Sequence, residues 1–198
     1  DDPDVIAARL RYLLRQGDSA GAQKQLDRLA TLAPTSSAYK APKTQMTLST
    51  PQGRQALQQA RLQAATGHAP EAIAAYESLF NGAPPDGDLA TEYWSQVAKI
   101  PARHTEAVNQ LKAINASSPG NADLQSALAR MLIADGRSEE GYTVLEQMAK
   151  NNTGRDAAAV IWYQQIQGMT VSDNSVAALK RFLSVFSEGD TVVAARQQ

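Results

Sequence analysis

The chain has 198 residues and a formal net charge of −1, with 19 Lys or Arg residues against 20 Asp or Glu residues. This balance excludes a general electrostatic preference for nucleic acid or for an anionic membrane surface, and the absence of cysteine excludes disulfides, thiolate nucleophiles and cysteine-ligated zinc. No apolar run approaches the roughly 20 residues of a membrane-spanning helix. From the charge balance we expect no nucleic-acid partner, and from the short apolar runs we expect no membrane insertion by this segment.

Four helical pairs with shared landmarks are predicted along the chain. The full set of landmarks is a turn Gly, a small residue five positions later, an apolar residue four positions further and a Pro eight beyond that. Two of the pairs have all four landmarks and two have three. In chain order the matching landmarks are Gly17, Ala22, Leu26 and Pro34; Gly67, Ala72, Tyr76 and Pro84; Ala107, Leu111 and Pro119; and Gly136, Gly141 and Leu145. The Gly allows a left-handed turn, the small residue allows close helix approach, and the Pro ends the second helix.

This pattern resembles the tetratricopeptide repeat, whose unit is about 34 residues. We assign repeats to 3–36, 53–86, 88–121 and 122–155. The third repeat has Ala102 beside Pro101 instead of the turn Gly, and the fourth ends at Thr153 instead of Pro. The resemblance predicts an all-α fold in which stacked helical pairs form an α/α superhelix, or solenoid.

Three stretches depart from the repeat. Residues 37–52, with Pro42 and Pro51, form a predicted non-repeat insertion that acts as a hinge or is locked by its prolines. Residues 156–187 form an atypical helical pair, either a degenerate repeat or an insertion, because the turn GMTVSDN is too long for the motif. Residues 188–198 begin a further helix, and the two ends of the chain are those expected of a segment cut from a longer protein.

A groove lined by the first helices is the predicted working surface. The resemblance implies that repeat positions two, five, nine, twelve and thirteen face this groove, and position nine is Arg in three repeats and Gln in the other. The predicted groove and partner-binding residues are Arg11, Arg15, Arg54, Arg61, Gln96, Lys99 and Arg130. Guanidinium groups suit carboxylates, phosphates and sugar hydroxyls. The arginine ridge is therefore expected to bind an acidic partner segment or a glycan. The alternative is that these arginines only form a solvated helix face.

Residues with catalytic potential give no enzyme prediction. His68 and His104 are predicted to lie in solvated turns, and the sequence has no GxSxG, HExxH or phosphate-binding Gly-rich motif. We therefore predict no catalytic residue, no cofactor and no metal site. In the doublets Tyr93-Trp94 and Trp162-Tyr163 one member is predicted to face the core. Trp94 is predicted to be that core residue, and core packing is also favoured for the second doublet. A sugar-stacking role for the second doublet is the alternative.

Longer phrases carry a more specific resemblance. LLRQGDSAGAQKQLDRLATLAP, TPQGRQALQQARLQAATGHAPEA, LFNGAPPDGDLATEYWSQVAKIPAR and VLEQMAKNNTGR are similar to the N-terminal repeat region of the enterobacterial cellulose synthase operon protein C family. The similarity extends over essentially the whole chain, including 37–52 and the GMTVSDN turn.

This family resemblance implies a periplasmic segment of an outer-membrane protein that exports cellulose. The implied role is a scaffold arm that docks other cellulose synthase complex subunits or guides the nascent glucan. The implied partners are those subunits, with cellulose, cello-oligosaccharide or peptidoglycan as further candidates. A generic tetratricopeptide adaptor that binds an acidic peptide in another bacterial envelope assembly is the alternative.

Overall fold

Helices account for all of the regular secondary structure in the described part of the chain, residues 2–80, 87–151 and 153–197 of a computed structural model. The elements in chain order are α1 (Pro3–Arg15), α2 (Ser19–Leu32), α3 (Ser37–Ser49), α4 (Pro51–Ala65), α5 (Ala69–Phe80), α6 (Asp88–Val97), a 3-10 helix (Pro101–Arg103), α7 (His104–Ser117), α8 (Ala122–Ala134), α9 (Ser138–Ala149), α10 (Arg155–Gln167), α11 (Asp173–Val185) and α12 (Asp190–Arg196). The predicted all-α tetratricopeptide fold is confirmed.

These helices form two compact units, Asp1–Arg103 and His104–Gln198, called here the N-terminal and C-terminal units. In the N-terminal unit α1 packs on α2, α4 on α5 and α5 on α6. In the C-terminal unit α8 packs on α7 and α9, while α10 contacts α8, α9, α11 and α12. The boundary between the units lies inside the predicted repeat 88–121, immediately after the 3-10 helix.

The predicted turn glycines are confirmed by their backbone conformation. Gly17, Gly67 and Gly136 have φ values of 77°, 82° and 77°, a region that L-residues with a side chain rarely adopt. The residue after each Gly donates its backbone N–H to a carbonyl in the last turn of the preceding helix: Asp18 to Leu13 (3.0 Å), His68 to Gln63 (2.9 Å) and Arg137 to Leu132 (2.8 Å). This recurring C-terminal cap reverses the chain within each of the three pairs. The landmark Pro84 lies outside the described residues.

The predicted small residues mark close helix approaches. Ala22, Ala72 and Ala107 are fully buried. At Gly141, an added Cβ would lie 3.1 Å from the carbonyl oxygen of Ala129 and 2.6 Å from Cγ1 of Ile133. The backbones of α8 and α9 are therefore so close that even a methyl group would displace a neighbour.

The predicted insertion at 37–52 is largely helical. The Ser36 hydroxyl caps α3 by accepting from Tyr39 N–H (3.3 Å), and the Thr50 hydroxyl caps α4 by accepting from Gly53 N–H (3.0 Å). Pro42 lies inside α3 and is buried there. It removes one helical hydrogen bond, but α3 packs against α1, α2 and α4. The proposed hinge at 37–52 remains a prediction.

An aromatic cluster forms much of the core of the C-terminal unit. The fully buried Trp162 ring stacks on Tyr142 with centroids 4.8 Å apart and meets Phe182 and Phe186 edge-on at 6.4 and 6.0 Å. The Arg181 guanidinium lies over Tyr142 and Trp162, 5.6 Å from each centroid. α10 and α11 are the two helices of the predicted atypical pair at 156–187, and α12 lies within the stretch 188–198, which was predicted to begin a further helix.

The predicted core position of Trp94 and the core packing of the second doublet are confirmed, but the expectation of only one inward residue per doublet is wrong. Trp94 and Trp162 are core residues, but Tyr93 (3% exposed) and Tyr163 (6% exposed) are buried as well. The expectation of one inward residue per doublet assumed a helix covered on one side. α10 contacts four other helices, and burial on several sides accommodates adjacent aromatic residues.

Candidate docking groove

The predicted groove residues of α1 and α4 are exposed, but most contact their own surroundings. Arg11 donates from Nε to the Ala7 carbonyl of its own helix (3.3 Å), and Arg54 donates from Nη1 to the Ser49 carbonyl (2.6 Å). Arg15 lies exposed in the last turn of α1, where its charge favours the helix dipole. The contacts of Arg11 and Arg54 are local, and partner binding by these three arginines remains a prediction.

Arg61 is occupied by an internal carboxylate. Its Nε and Nη2 donate to the two carboxylate oxygens of Glu92 at 2.8 and 2.7 Å, and the Tyr76 hydroxyl donates to Glu92 Oε2 at 2.8 Å. Burial alone would raise the pKa of Glu92, but the hydrogen bonds from Arg61 and Tyr76 outweigh it and lower that pKa. This bidentate pair with its tyrosine links α4, α5 and α6.

A second polar network lies beside the first. The Tyr93 hydroxyl donates to Glu77 Oε1 at 2.7 Å, and Arg103 Nη1 donates to the same oxygen at 3.3 Å. Burial and the hydrogen bond to Glu77 raise the pKa of Tyr93. The remaining predicted groove residues of this unit, Gln96 and Lys99, contact each other through Oε1 and Nζ at 2.8 Å.

Arg130 differs from Arg61 although both hold position nine of their repeats. Its side chain is exposed and has no ionic partner among the residues that the structure describes. It lines a cavity of about 340 Å³ between the first helices α8 and α10, called here the Arg130 cavity. The lining residues are Arg130, Ile133, Ala134, Ile161, Gln164 and Gln165.

The periodicity of the two helices explains this arrangement. α8 is capped by the Asn121 side chain, which accepts from Leu124 N–H at 3.0 Å, and it buries Leu124, Leu128 and Leu132. Arg130 and Ile133 therefore lie off the core-facing stripe of the helix. On α10, Ile161 is 5% exposed whereas Gln164 is exposed, so this helix supplies both an apolar wall and a polar rim.

The amides Gln164 and Gln165 are absent from the groove residues predicted from the sequence. That prediction treats 156–187 as an atypical pair, so repeat positions are not counted into it. Continuing the 34-residue period from Arg130 leads to Gln164, again at position nine. The signal is present in the sequence, and it is lost only if the departure at the GMTVSDN turn is taken to end the array.

The chemistry of the Arg130 cavity is that of a polar binding site with aliphatic walls. A guanidinium donates two parallel hydrogen bonds to a carboxylate, and primary amides both donate and accept.

His104, predicted to be a solvated turn residue, instead lies at the start of α7 with Nε2 2.9 Å from both oxygens of Asp135. Across the described ranges, no three His, Asp or Glu side chains are grouped as a metal site would require.

Comparison with known proteins gives the family. The tetratricopeptide repeat model matches residues 102–161. Cellulose synthase operon protein C of Escherichia coli K12 is 66% identical over all 198 residues, and that of Salmonella typhimurium LT2 is 65% identical. A crystal structure of the flexible tandem repeat domain of the bacterial cellulose synthase C component superposes with a TM-score of 0.83 and 68% sequence identity, over 100% of this chain and 81% of that one. The chain belongs to this repeat-domain family.

The matches cover only a part of the full-length relatives. The chain spans only 17% of the length of the two enterobacterial relatives. A more distant relative, the cellulose synthase 1 operon protein C of Komagataeibacter xylinus, is 33% identical over 135 residues. Among the helices that the structure describes, none has both the length and the apolar character that crossing a membrane demands.

Proposed function

We propose that this chain is a non-catalytic scaffold arm of a cellulose-export subunit, located in the periplasm, and that it docks a protein component of the cellulose synthase complex. The observation that carries the proposal is the Arg130 cavity: a guanidinium without an ionic partner among the described residues, beside two amides, between two neighbouring first helices. The family membership supplies the assembly in which such a surface would act.

A protein partner fits the cavity better than a glucan does. Protein sites for sugars commonly stack an aromatic ring on the face of the sugar. The walls of the Arg130 cavity are Ile133, Ala134 and Ile161, and both tryptophans of the chain are core residues. Glucan guidance and peptidoglycan contact are therefore outcomes that the experiment must separate from protein docking. A generic adaptor would have the same chemistry but a partner from another assembly.

Site-specific photocrosslinking in cellulose-producing cells tests the proposal. A benzophenone amino acid replaces Gln164 in the full-length protein, and the captured molecules are identified by mass spectrometry. The matched control is Gln147, which is exposed on the second helix α9 of the same unit. A further groove position, Gln96, examines the N-terminal unit.

We expect Gln164 to capture a protein of the cellulose synthase complex and Gln147 not to capture it. Capture of glucan or peptidoglycan fragments alone from Gln164 would reject protein docking. Capture of a protein from an unrelated envelope assembly would favour the adaptor alternative. Equal capture of the synthase protein from Gln164 and Gln147 would show that the groove is not the docking face.

A further inference from the structure

We infer that the Arg130 cavity binds an acidic side chain of an extended peptide segment, with an aliphatic side chain two residues away between Ile133 and Ile161. This inference rests on the proposed function and deepens it, because it gives the chemistry of the docked segment. Its elements are the Arg130 charge, which has no carboxylate partner in the described part of the chain, the two amides, the apolar walls and the spacing between charge and walls.

The charge of the cavity is the first element. The neighbouring guanidinium groups of the C-terminal unit are satisfied internally: Arg137 by Glu140, Arg181 by Glu139 and Glu146, and Arg155 by two backbone carbonyls. Arg130 has no carboxylate partner within the described residues, and no other charged residue lines its cavity. One unpaired cation is complementary to one carboxylate, which it can bind through two parallel hydrogen bonds.

The amides are the second element. Gln164 is exposed and Gln165 is half-buried, and both line the cavity on the α10 side. Each amide offers an N–H₂ donor and a carbonyl acceptor, which match the alternating C=O and N–H groups of an extended peptide backbone. Side-chain recognition by Arg130 is thereby combined with backbone recognition by α10.

The spacing of charge and apolar wall sets the pattern of the segment. Ile133 follows Arg130 by three residues, which is about 4.5 Å along the axis of α8. Side chains on one face of an extended chain recur every second residue, about 6.6 Å apart. An acidic residue and an aliphatic residue at i and i+2 lie on the same face of an extended segment, so both can face the cavity lining that contains Arg130, Ile133 and Ile161. Adjacent residues would point to opposite faces.

The acidic group is assigned to a side chain, not to a peptide C-terminus. A terminal carboxylate ends the backbone at the guanidinium, so it forgoes the backbone pairing with Gln164 on one side. In addition, the hydroxyl of Ser126, at the groove position one turn before Arg130, donates to Met148 Sδ (3.6 Å) and is directed at the adjacent helix. The single cation is thus the only charged contact that the described lining of the cavity offers.

An NMR titration of the ¹⁵N-labelled chain tests this assignment. The probe is the peptide Gly-Ser-Glu-Ser-Val-Ser-Gly with both ends blocked, and the matched control replaces Glu by Gln. We expect the probe to shift the side-chain amide signals of Gln164 and Gln165 and the Nε signal of Arg130. Arg130→Gln is expected to weaken binding about tenfold, since a charge-assisted bidentate contact is lost. Arg9→Gln, a charge-matched change at an exposed position of α1 in the other unit, is expected to alter affinity less than about twofold.

Four results would overturn the inference. These are equal weakening by Arg130→Gln and Arg9→Gln, equal binding of the Glu and Gln peptides, tighter binding of a Gln peptide with a free C-terminus, and cellohexaose shifting the same signals at lower concentration. Failure here is distinguishable from failure of the proposed function. If Gln164 still captures a synthase protein in cells while the acidic peptide does not bind, docking stands and the assigned chemistry is wrong.

Discussion

The two units use the same repeat position in opposite ways. In the N-terminal unit, Arg61 forms a bidentate pair with Glu92, which also accepts from Tyr76, so the guanidinium links three helices. In the C-terminal unit, Arg130 contacts no carboxylate within the described residues and lines a cavity. The structural role there belongs to Arg181, which lies over the aromatic cluster and pairs with Glu139 and Glu146.

This difference shows that a ridge of like residues in a repeat array is not a uniform surface. A guanidinium is available to a partner only if no neighbouring repeat supplies a carboxylate within reach. Position five of the following repeat decides this for Arg61, because Glu92 stands there. The comparison therefore separates stabilising arginines from binding arginines, and four measurements can break or sharpen it.

The largest expected effect concerns the aromatic cluster. Trp162→Ala should lower the free energy of unfolding by about 3–5 kcal/mol, because a fully buried ring and its stacking on Tyr142 are lost. Urea denaturation followed by circular dichroism measures the change. Val171→Ala is the control, since Val171 is 97% exposed. A loss below about 1 kcal/mol for Trp162→Ala would mean that the cluster does not stabilise the C-terminal unit.

The second measurement compares the two position-nine arginines directly. Arg61→Ala should destabilise the chain by about 1 kcal/mol, a value reduced from that of a buried pair because the Arg61 side chain is 51% exposed. Arg130→Ala should change the free energy of unfolding by less than about 0.5 kcal/mol. Thermal and urea unfolding of both variants give the comparison. Equal destabilisation by the two substitutions would remove the distinction between the arginines.

The third measurement uses the titration of Glu92. Because its pKa is lowered in the folded state, the carboxylate contributes stability above the ordinary carboxyl pKa, and this contribution is lost as the pH falls through the lowered value. The difference in unfolding free energy between the wild type and Glu92→Gln should therefore be larger at about pH 7 than at about pH 3. A difference that stays constant between these two pH values would contradict the charged Arg61–Glu92 pair.

The smallest expected effect is a change in the pKa of Glu140, which forms an exposed ion pair with Arg137 and Lys112. Hydrogen bonds from Arg137 (2.7 and 2.8 Å) and from Lys112 (2.7 Å) lower the pKa of Glu140 to about 2. An NMR titration of the Glu140 side-chain carbon should give this midpoint. Arg137→Gln should raise the midpoint toward the ordinary carboxyl range, and Arg130→Gln on the neighbouring helix should leave it unchanged. A Glu140 midpoint near the ordinary value of about 4.3 in the wild type would contradict the pair.

Local turn chemistry explains why most of the fold could be predicted. A Gly at the end of a helix and a small residue five positions later have direct structural consequences, and Gly17, Gly67 and Gly136 have the expected left-handed conformation. The insertion at 37–52 was harder, because Pro42 suggested a break. Packing of α3 against three helices outweighs the lost hydrogen bond, and such tertiary contacts are not visible in a local pattern.

The site was less predictable than the fold for a related reason. Counting repeat positions identified Arg61 and Arg130 as equivalent, but their pairing depends on which residue the next repeat places opposite them. Glu92 could have been anticipated from its position five, one repeat after Arg61. The burial of Tyr93 and Tyr163 could not, since it depends on tertiary contacts: Tyr93 packs against Tyr76 of α5, and α10, which carries Tyr163, contacts four other helices.

The position of the polar networks has a consequence for engineering. The pairs of Arg61 and Tyr76 with Glu92, and of Tyr93 with Glu77, each join residues of 53–86 to residues of 88–121. A chimera cut at the repeat boundary would separate every one of these partners and leave unsatisfied polar groups at the junction. The smallest transplantable module is therefore longer than the repeat period of about 34 residues, extending from α4 through the 3-10 helix at Pro101–Arg103, and repeat shuffling in this family should respect that longer unit.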